Sequence, residues 1–206
     1  MYRLLFLLVA CSVVILVSSR EKARLMPIPK QCNLDPITDL DLSKFNGIWW
    51  ELVVTLLSTH DESRYLQDGR LNVTYLDENS GGPGLRMRRF RSWSNENTCD
   101  EFDFNYFQTE QPGVLVATKD DGTIMYYKTI VETNGHSVLC RQYYPELGES
   151  TYHLWSQHLC FSPSDVATLL NRISSDPCMR EQKYVAMEHT GVCGMPPNAS
   201  WSEILE

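Results

Sequence analysis

Residues 44–54 read KFNGIWWELVV: two adjacent tryptophans stand just past a glycine, at the head of an apolar run. Gly47 opens backbone conformations closed to other residues. From Trp49 to Val54 the chain is rich in the aromatic and β-branched residues that suit a half-buried strand. Side chains alternate along a strand, so Trp49 and Trp50 must face opposite sides of one wall. The fold is decided by what kind of wall takes an indole on each face.

Downstream the same kind of segment recurs. Gly47 to Leu57 is followed by a polar loop, His60 to Asp68. Arg70 to Leu76 then alternates through Leu71, Val73 and Tyr75, and ends in the turn Asp77 to Gly84. Leu85 to Trp93, Glu101 to Phe107, Val114 to Thr118, Thr123 to Val131, Ser137 to Tyr144 and Thr151 to Gln157 complete eight expected strands. The joining stretches are short and carry Gly, Pro, Asn or Asp, the residues that turns require. Short strands at regular spacing argue for an antiparallel sandwich or barrel, not a parallel sheet with crossover helices. One helix is marked after them. Ser162 suits its cap and Pro163 its first position, while Val166, Leu169, Leu170 and Ile173 form a single apolar stripe that Pro177 ends.

The ends read differently. Met1 to Ser19 has Arg3, an apolar run from Leu4 to Val17, and the small residues Ser18 and Ser19. The run is short of the about 20 residues of a membrane span, and the pattern is that of a cleaved secretory signal. The expected divisions are a signal peptide at 1–19, an N-terminal arm at 20–43 containing Pro27, Pro29 and Pro36, a barrel plus helix at 44–176, and a tail at 177–206. The formal charge is −8, one unit more negative once Arg3 leaves. That acidity argues against a nucleic-acid or anionic-membrane partner. Seven cysteines become six without Cys11, namely Cys32, Cys99, Cys140, Cys160, Cys178 and Cys193. An even count in an oxidising compartment reads as three disulfides with 15 pairings open. Asn72 and Asn198 begin glycosylation acceptor triplets, in keeping with a secreted, extracellular product.

With Lys44, Phe45, Gly47, Trp49, Trp50 and Glu51 at the head of the first of eight strands, and one helix after the last, the chain from about Cys32 to Ile173 resembles the lipocalin family. The resemblance implies an all-β fold, an eight-stranded antiparallel up-and-down barrel with one C-terminal α-helix packed outside. It also answers the tryptophan question. A 3₁₀ segment beside Gly47 would close the barrel floor, Trp49 would plug that floor from within, and Trp50 would point outward under the arm or the helix. Two other family signatures are weakly kept. Val131 to Asn134 stands where lipocalins have Thr-Asp-Tyr, and His158 stands about where an arginine stacks on the floor tryptophan. Within the family, a Cys32–Cys140 bridge from arm to seventh strand resembles the apolipoprotein D and bilin-binding branch. Cys99 would then pair with Cys178 or Cys193 in the tail, and Cys160 with the one left over.

A barrel of this size holds one small molecule. The expected function is therefore a secreted carrier for a small hydrophobic ligand, with or without an acidic head group. Candidate wall residues are Met87, Phe102, Phe104, Tyr106, Tyr127 and Leu154, each of which would otherwise be an ordinary packing residue, since strand parity is open. Arg86, Arg88, Arg89 and Arg91 crowd into six positions. Arg89 and Arg91 share parity with Met87 and Trp93. They either meet a carboxylate or phosphate head group inside, or sit on a solvated outer face. The sequence has no Gly-x-Ser-x-Gly, His-Glu-x-x-His or phosphate loop. His153 and His158 differ by five along a strand, so they cannot share a metal. No enzyme, cofactor or metal is expected, and a lipocalin-type thiol enzyme would need one unpaired cysteine. The remaining alternative is a barrel scaffold meeting a protein or receptor through its open-end loops, His60 to Asp68 and Gly81 to Gly84, or its tail.

Overall fold

The computed structural model describes residues 36–59, 64–77, 79, 82–119, 121–158, 171 and 184–194. The expected signal peptide, most of the arm, the helix over 162–176, and Cys32, Cys160, Cys178 and Asn198 lie outside the described residues. Within them, a short 3₁₀ turn at Leu42–Phe45 leads into nine strands. These are β1 (Gly47–Thr55), β2 (Leu66–Leu76), β3 (Gly84–Trp93), β4 (Asp100–Gln108), β5 (Val114–Thr118), β6 (Ile124–Thr133), β7 (Ser137–Tyr144), β8 (Glu149–Ser156) and β9 (Tyr184–Ala186). Eight of them stand where the alternation placed them. The ninth falls in the tail, and β2 begins four residues earlier than its alternation suggests, so Leu66 to Asp68 belong to a strand and not to the preceding loop.

All neighbours along the chain from β2 to β8 pair antiparallel, β8 pairs with β1, and β1 returns to β2. The sheet is a closed up-and-down barrel, which removes the exposed edges an open sheet would have. Closure is split, however. The first half of β1, Gly47 to Trp50, pairs with Val73 to Arg70 of β2. Its second half, Val53 to Thr55, pairs with β9 at Ala186 to Tyr184. The tail strand thus stands in the seam where β2 has parted from β1. Gly69 marks the parting point. A Cβ there would lie 2.5 Å from Glu51 Cβ and 2.9 Å from Met187 Cε. Asp68, the one described non-glycine residue at positive φ (53°), turns its carboxylate to the tail. It accepts hydrogen bonds from the Thr190 and Gly191 amides at 2.7 and 3.0 Å, from the Thr190 hydroxyl, and from the Ser92 hydroxyl at 3.0 Å. A Cys99–Cys193 disulfide fastens the same segment to the loop after β3.

The floor is built as the glycine and tryptophan imply. Gly47 has φ 124°, open to glycine and strained for any other residue. The 3₁₀ turn buries Leu42 and Phe45. Phe45 stacks on Trp49 with ring centroids 5.6 Å apart and accepts the Trp49 indole N–H on its carbonyl at 2.8 Å. Above them Leu71, Val73, Leu85, Met87, Tyr106, Leu115, Ala117, Tyr126, Ile130, Val138 and Trp155 fill the barrel with one continuous apolar cluster. The end of the arm covers this end, with the Ile37 amide donating to the Ile130 carbonyl at 3.1 Å.

Candidate functional site

The mouth half of the interior is chemically unlike the floor. Glu51 from β1, Arg89 from β3, Lys128 from β6, Gln142 from β7 and His153 from β8 are all buried there. Alternation brings them in: Glu51 shares the face of Trp49, Arg89 that of Met87, and His153 that of Trp155. The Glu51 carboxylate pairs with the Arg89 guanidinium. It also accepts from His153 Nδ1 at 2.6 Å and from the Trp155 indole N–H at 3.2 Å. With Nδ1 donating, His153 Nε2 takes the Thr151 hydroxyl proton at 2.9 Å, which sets the neutral tautomer.

Burial works against both charged partners, and the outcome differs. It would raise the Glu51 pKa, yet the Arg89 charge and then His153 outweigh it and hold the carboxyl well below its ordinary value. For His153 burial dominates over the attraction of Glu51, and its pKa falls to about 3. The cluster at neutral pH is therefore a carboxylate–guanidinium pair braced by a neutral imidazole.

Two further cations stand beside it. The Lys128 ammonium lies over the Trp155 ring at 4.3 Å and the Tyr106 ring at 5.1 Å, with no ion pair or hydrogen bond among the described residues. Burial lowers its pKa to about 8. Arg91 lies over the Phe102 ring at 5.5 Å, and its Nε is buried with no hydrogen-bond partner. Burial first, and the like charge of Arg89 second, lower its pKa to about 10.

A cavity of about 290 Å³ opens above this cluster. Val54, Leu56, Leu57, Leu66 and Trp93 supply apolar wall, while Arg64, Arg89, Arg91, Tyr144, Thr151 and His153 supply the polar groups. Arg64 is engaged by Glu96 and lies over the Trp93 ring at 4.5 Å.

Of the expected wall residues, Arg89 and Arg91 line this cavity. Met87, Phe104 and Tyr106 face inward but belong to the packed core beneath it. Phe102 sits at the rim, 38% exposed, stacked on Phe104. Tyr127 is a correction: it packs on the outer face with Val114, Val116 and Tyr143, because the inward parity of β6 belongs to Tyr126. Leu154 is a second correction, since its neighbours His153 and Trp155 point in and leave it buried on the outer wall. His158 is a third. It lies exposed beyond the end of β8 with its ring 5.0 Å from His136, and the floor tryptophan is stacked instead by Phe45. Asn72 stands half-buried on the outer face of β2, between the inward Leu71 and Val73.

The cysteines divide likewise. Cys99–Cys193 forms, as one of the two expected alternatives for Cys99. Cys140 does not carry the bridge assigned to it: it is a free thiol, wholly buried in the interior cluster. Its side chain turns inward on β7 into the apolar cluster, and the pairing that suggested the apolipoprotein D branch falls with it. Burial pushes the thiol pKa up to about 12, so it is protonated at neutral pH.

Glu51, Lys128, Tyr144 and His153 were not singled out as site residues. Glu51 had a visible signal, a lone acid two residues past Trp49 on the same parity. The others required knowing which face of β6, β7 and β8 turns inward. Among the described residues no cluster of three or more metal-ligating side chains occurs, and no helix is long and apolar enough to cross a membrane.

No protein-family model and no curated protein matches the chain. Among solved structures, the major allergen Per a 4 from cockroaches is similar at a TM-score of 0.56 and 13% identity, over 76% of this chain and 94% of that one. At that identity the likeness is one of fold. Together with the floor turn, the glycine-tryptophan entry and the closed eight-stranded barrel, it supports a lipocalin-like fold for this chain.

Proposed function

We propose that the protein is a secreted carrier that holds one small, mostly apolar ligand in the mouth of its barrel. The observation that carries the reading is the cavity of about 290 Å³ above an apolar floor, with apolar walls and a few oriented polar groups. That combination is the usual make-up of a small-molecule site, and the size falls at its lower end. Secretion is supported by the leader-like start and by a disulfide that persists in oxidising surroundings. The reading is of binding without chemistry. The inward Cys140 is the thiol a lipocalin-type enzyme would need, but a protonated, fully enclosed sulfur is a poor nucleophile.

The test is to purify the protein from its source, extract it into organic solvent for mass spectrometry, and titrate an apolar fluorescent probe in parallel. A stoichiometric small molecule, or probe uptake at one site that the extract displaces, is expected. An empty extract with no uptake would favour the second reading, a scaffold that meets a protein through its mouth loops and tail. The observation favouring that second reading is the tail segment 184–194, stitched to the mouth side by β9, Asp68 and Cys99–Cys193.

A further inference from the structure

The charges inside the mouth do not cancel. Glu51 is the single acid buried there among the described residues, and Arg89 already holds it. Arg64 on the wall has Glu96. Lys128 lies below, covered by the Trp155 and Tyr106 rings, and does not line the cavity. Arg91 does line it, its Nε buried with no hydrogen-bond partner and its guanidinium in no ion pair among the described residues. The Arg89 guanidinium repels it more strongly than the Glu51 carboxylate, already engaged by Arg89, attracts it. A largely desolvated guanidinium without a counter-ion is costly, and a ligand anion would remove the cost.

The shape of the deficit narrows the anion. Among the described residues one uncompensated positive charge faces the cavity, which suits a monoanion better than a phosphate dianion. A guanidinium is a planar fork that matches the two oxygens of a carboxylate. Val54, Leu66 and Trp93 offer apolar wall for the remainder of such a molecule. An amine would meet two guanidiniums facing it.

We infer that the mouth cavity selects a small apolar carboxylate, its carboxylate forked onto the Arg91 guanidinium and its chain against Val54, Leu66 and Trp93. This rests on the carrier reading and adds the ligand's charge to it. Arg91 keeps its proton at neutral pH, even with its pKa lowered to about 10.

The experiment is calorimetric titration of the full secreted protein, stripped of bound lipid, with decanoate, 1-decanol, decyl phosphate and decylamine at neutral pH. Decanoate should bind about tenfold or more tightly than 1-decanol, the difference a charged hydrogen-bonded pair typically makes, and decylamine should be the weakest. In Arg91→Met the decanoate-to-decanol ratio should collapse to about one. Arg91→Lys, which keeps the charge but loses the fork, should retain part of the preference and shows that the site tolerates substitution. Equal binding of decanoate and decanol by the wild type would overturn the inference and leave the carrier standing. So would an Arg91→Met protein of native circular dichroism that still prefers decanoate, or tighter binding of decyl phosphate than of decanoate. Binding of none of the four would overturn the carrier reading as well.

Discussion

The two halves of the barrel interior are made from the same strands and behave as opposites. At the floor, Trp49, Leu85, Met87, Leu115 and Ile130 belong to one continuous buried apolar cluster. A few residues further along the same strands, Glu51 and Arg89 replace apolar side chains, and a cavity appears. The floor is held by burial, which is non-directional and tolerates exchange among apolar shapes. The mouth is held by a few directional bonds around one carboxylate, which tolerate almost no exchange. A barrel that binds a ligand needs both: a rigid plug that contributes stability and a polar rim that contributes orientation.

The sharpest contrast is between Glu51→Gln and Met87→Ala, neighbours in adjacent layers. Glu51→Gln leaves Arg89 buried without its anion and should cost about 3–5 kcal/mol. Met87→Ala leaves a void and should cost about 2–5 kcal/mol. Denaturant unfolding across pH separates them. The Glu51 pKa is lowered in the fold, so its contribution is present above the ordinary carboxylate range and is lost as pH falls through the folded value. His153 adds to the same limb. Its pKa drops from 6.5 to about 3, so the unfolded chain takes up a proton first and stability declines from about pH 6.5 downward. Met87→Ala should keep this acid limb intact, whereas Glu51→Gln should lose the carboxylate part of it. A Glu51→Gln protein with an unchanged acid limb would show that the mouth network is not a stabilising element.

Next in size is the tail. Cys193→Ser frees a segment whose disulfide spans 94 residues of sequence, and should cost about 2–4 kcal/mol. Because β9 stands in the seam beside Val54 and Leu66, the same variant should speed probe exchange at the mouth, while hydrogen exchange at the floor strands stays slow. Equal loss of protection at both ends would mean that the barrel has no separable halves.

The smallest effect has the opposite sign. Lys128→Met removes a buried, uncompensated charge at similar volume and should stabilise the protein by about 1–2 kcal/mol at neutral pH. Wild-type stability should rise between about pH 8 and 10.5, where the unfolded lysine binds a proton that the folded one has released. The variant should lack that rise in thermal melts. Destabilisation by Lys128→Met would mean that the ammonium holds the Trp155 and Tyr106 rings in place.

The strands were legible because their signal is local. Alternation in β3, β4 and β7, with Gly- or Pro-bearing turns between, needs no tertiary information to be read. Gly47 and Trp49 announced the floor for the same reason, since a positive φ and a buried indole are properties of single positions. The arginines were legible as a cluster but not as a site, because their meaning hangs on which face of β3 turns inward.

Where the reading failed, long-range geometry had overruled local pattern. Tyr126 and Tyr127 are equally aromatic, and only the register of β6 between β5 and β7 puts one inside and the other outside. The bulge at Leu52 lets Val54, not Val53, share the inward side with Glu51, which no alternation rule reports. Cys140 looks like any secreted cysteine until closure of the barrel seals it among apolar neighbours. The ninth strand is three residues long and carries no period of its own. It exists because β1 and β2 part at Gly69 and leave unpaired backbone that Tyr184 to Ala186 satisfies. Residue order alone settles strand positions, turns, acidity and the plugged floor, for these follow from neighbours a few positions apart. Which side chains meet in the mouth follows from closure, which joins residues some hundred positions apart and sets Arg89 and His153 against Glu51.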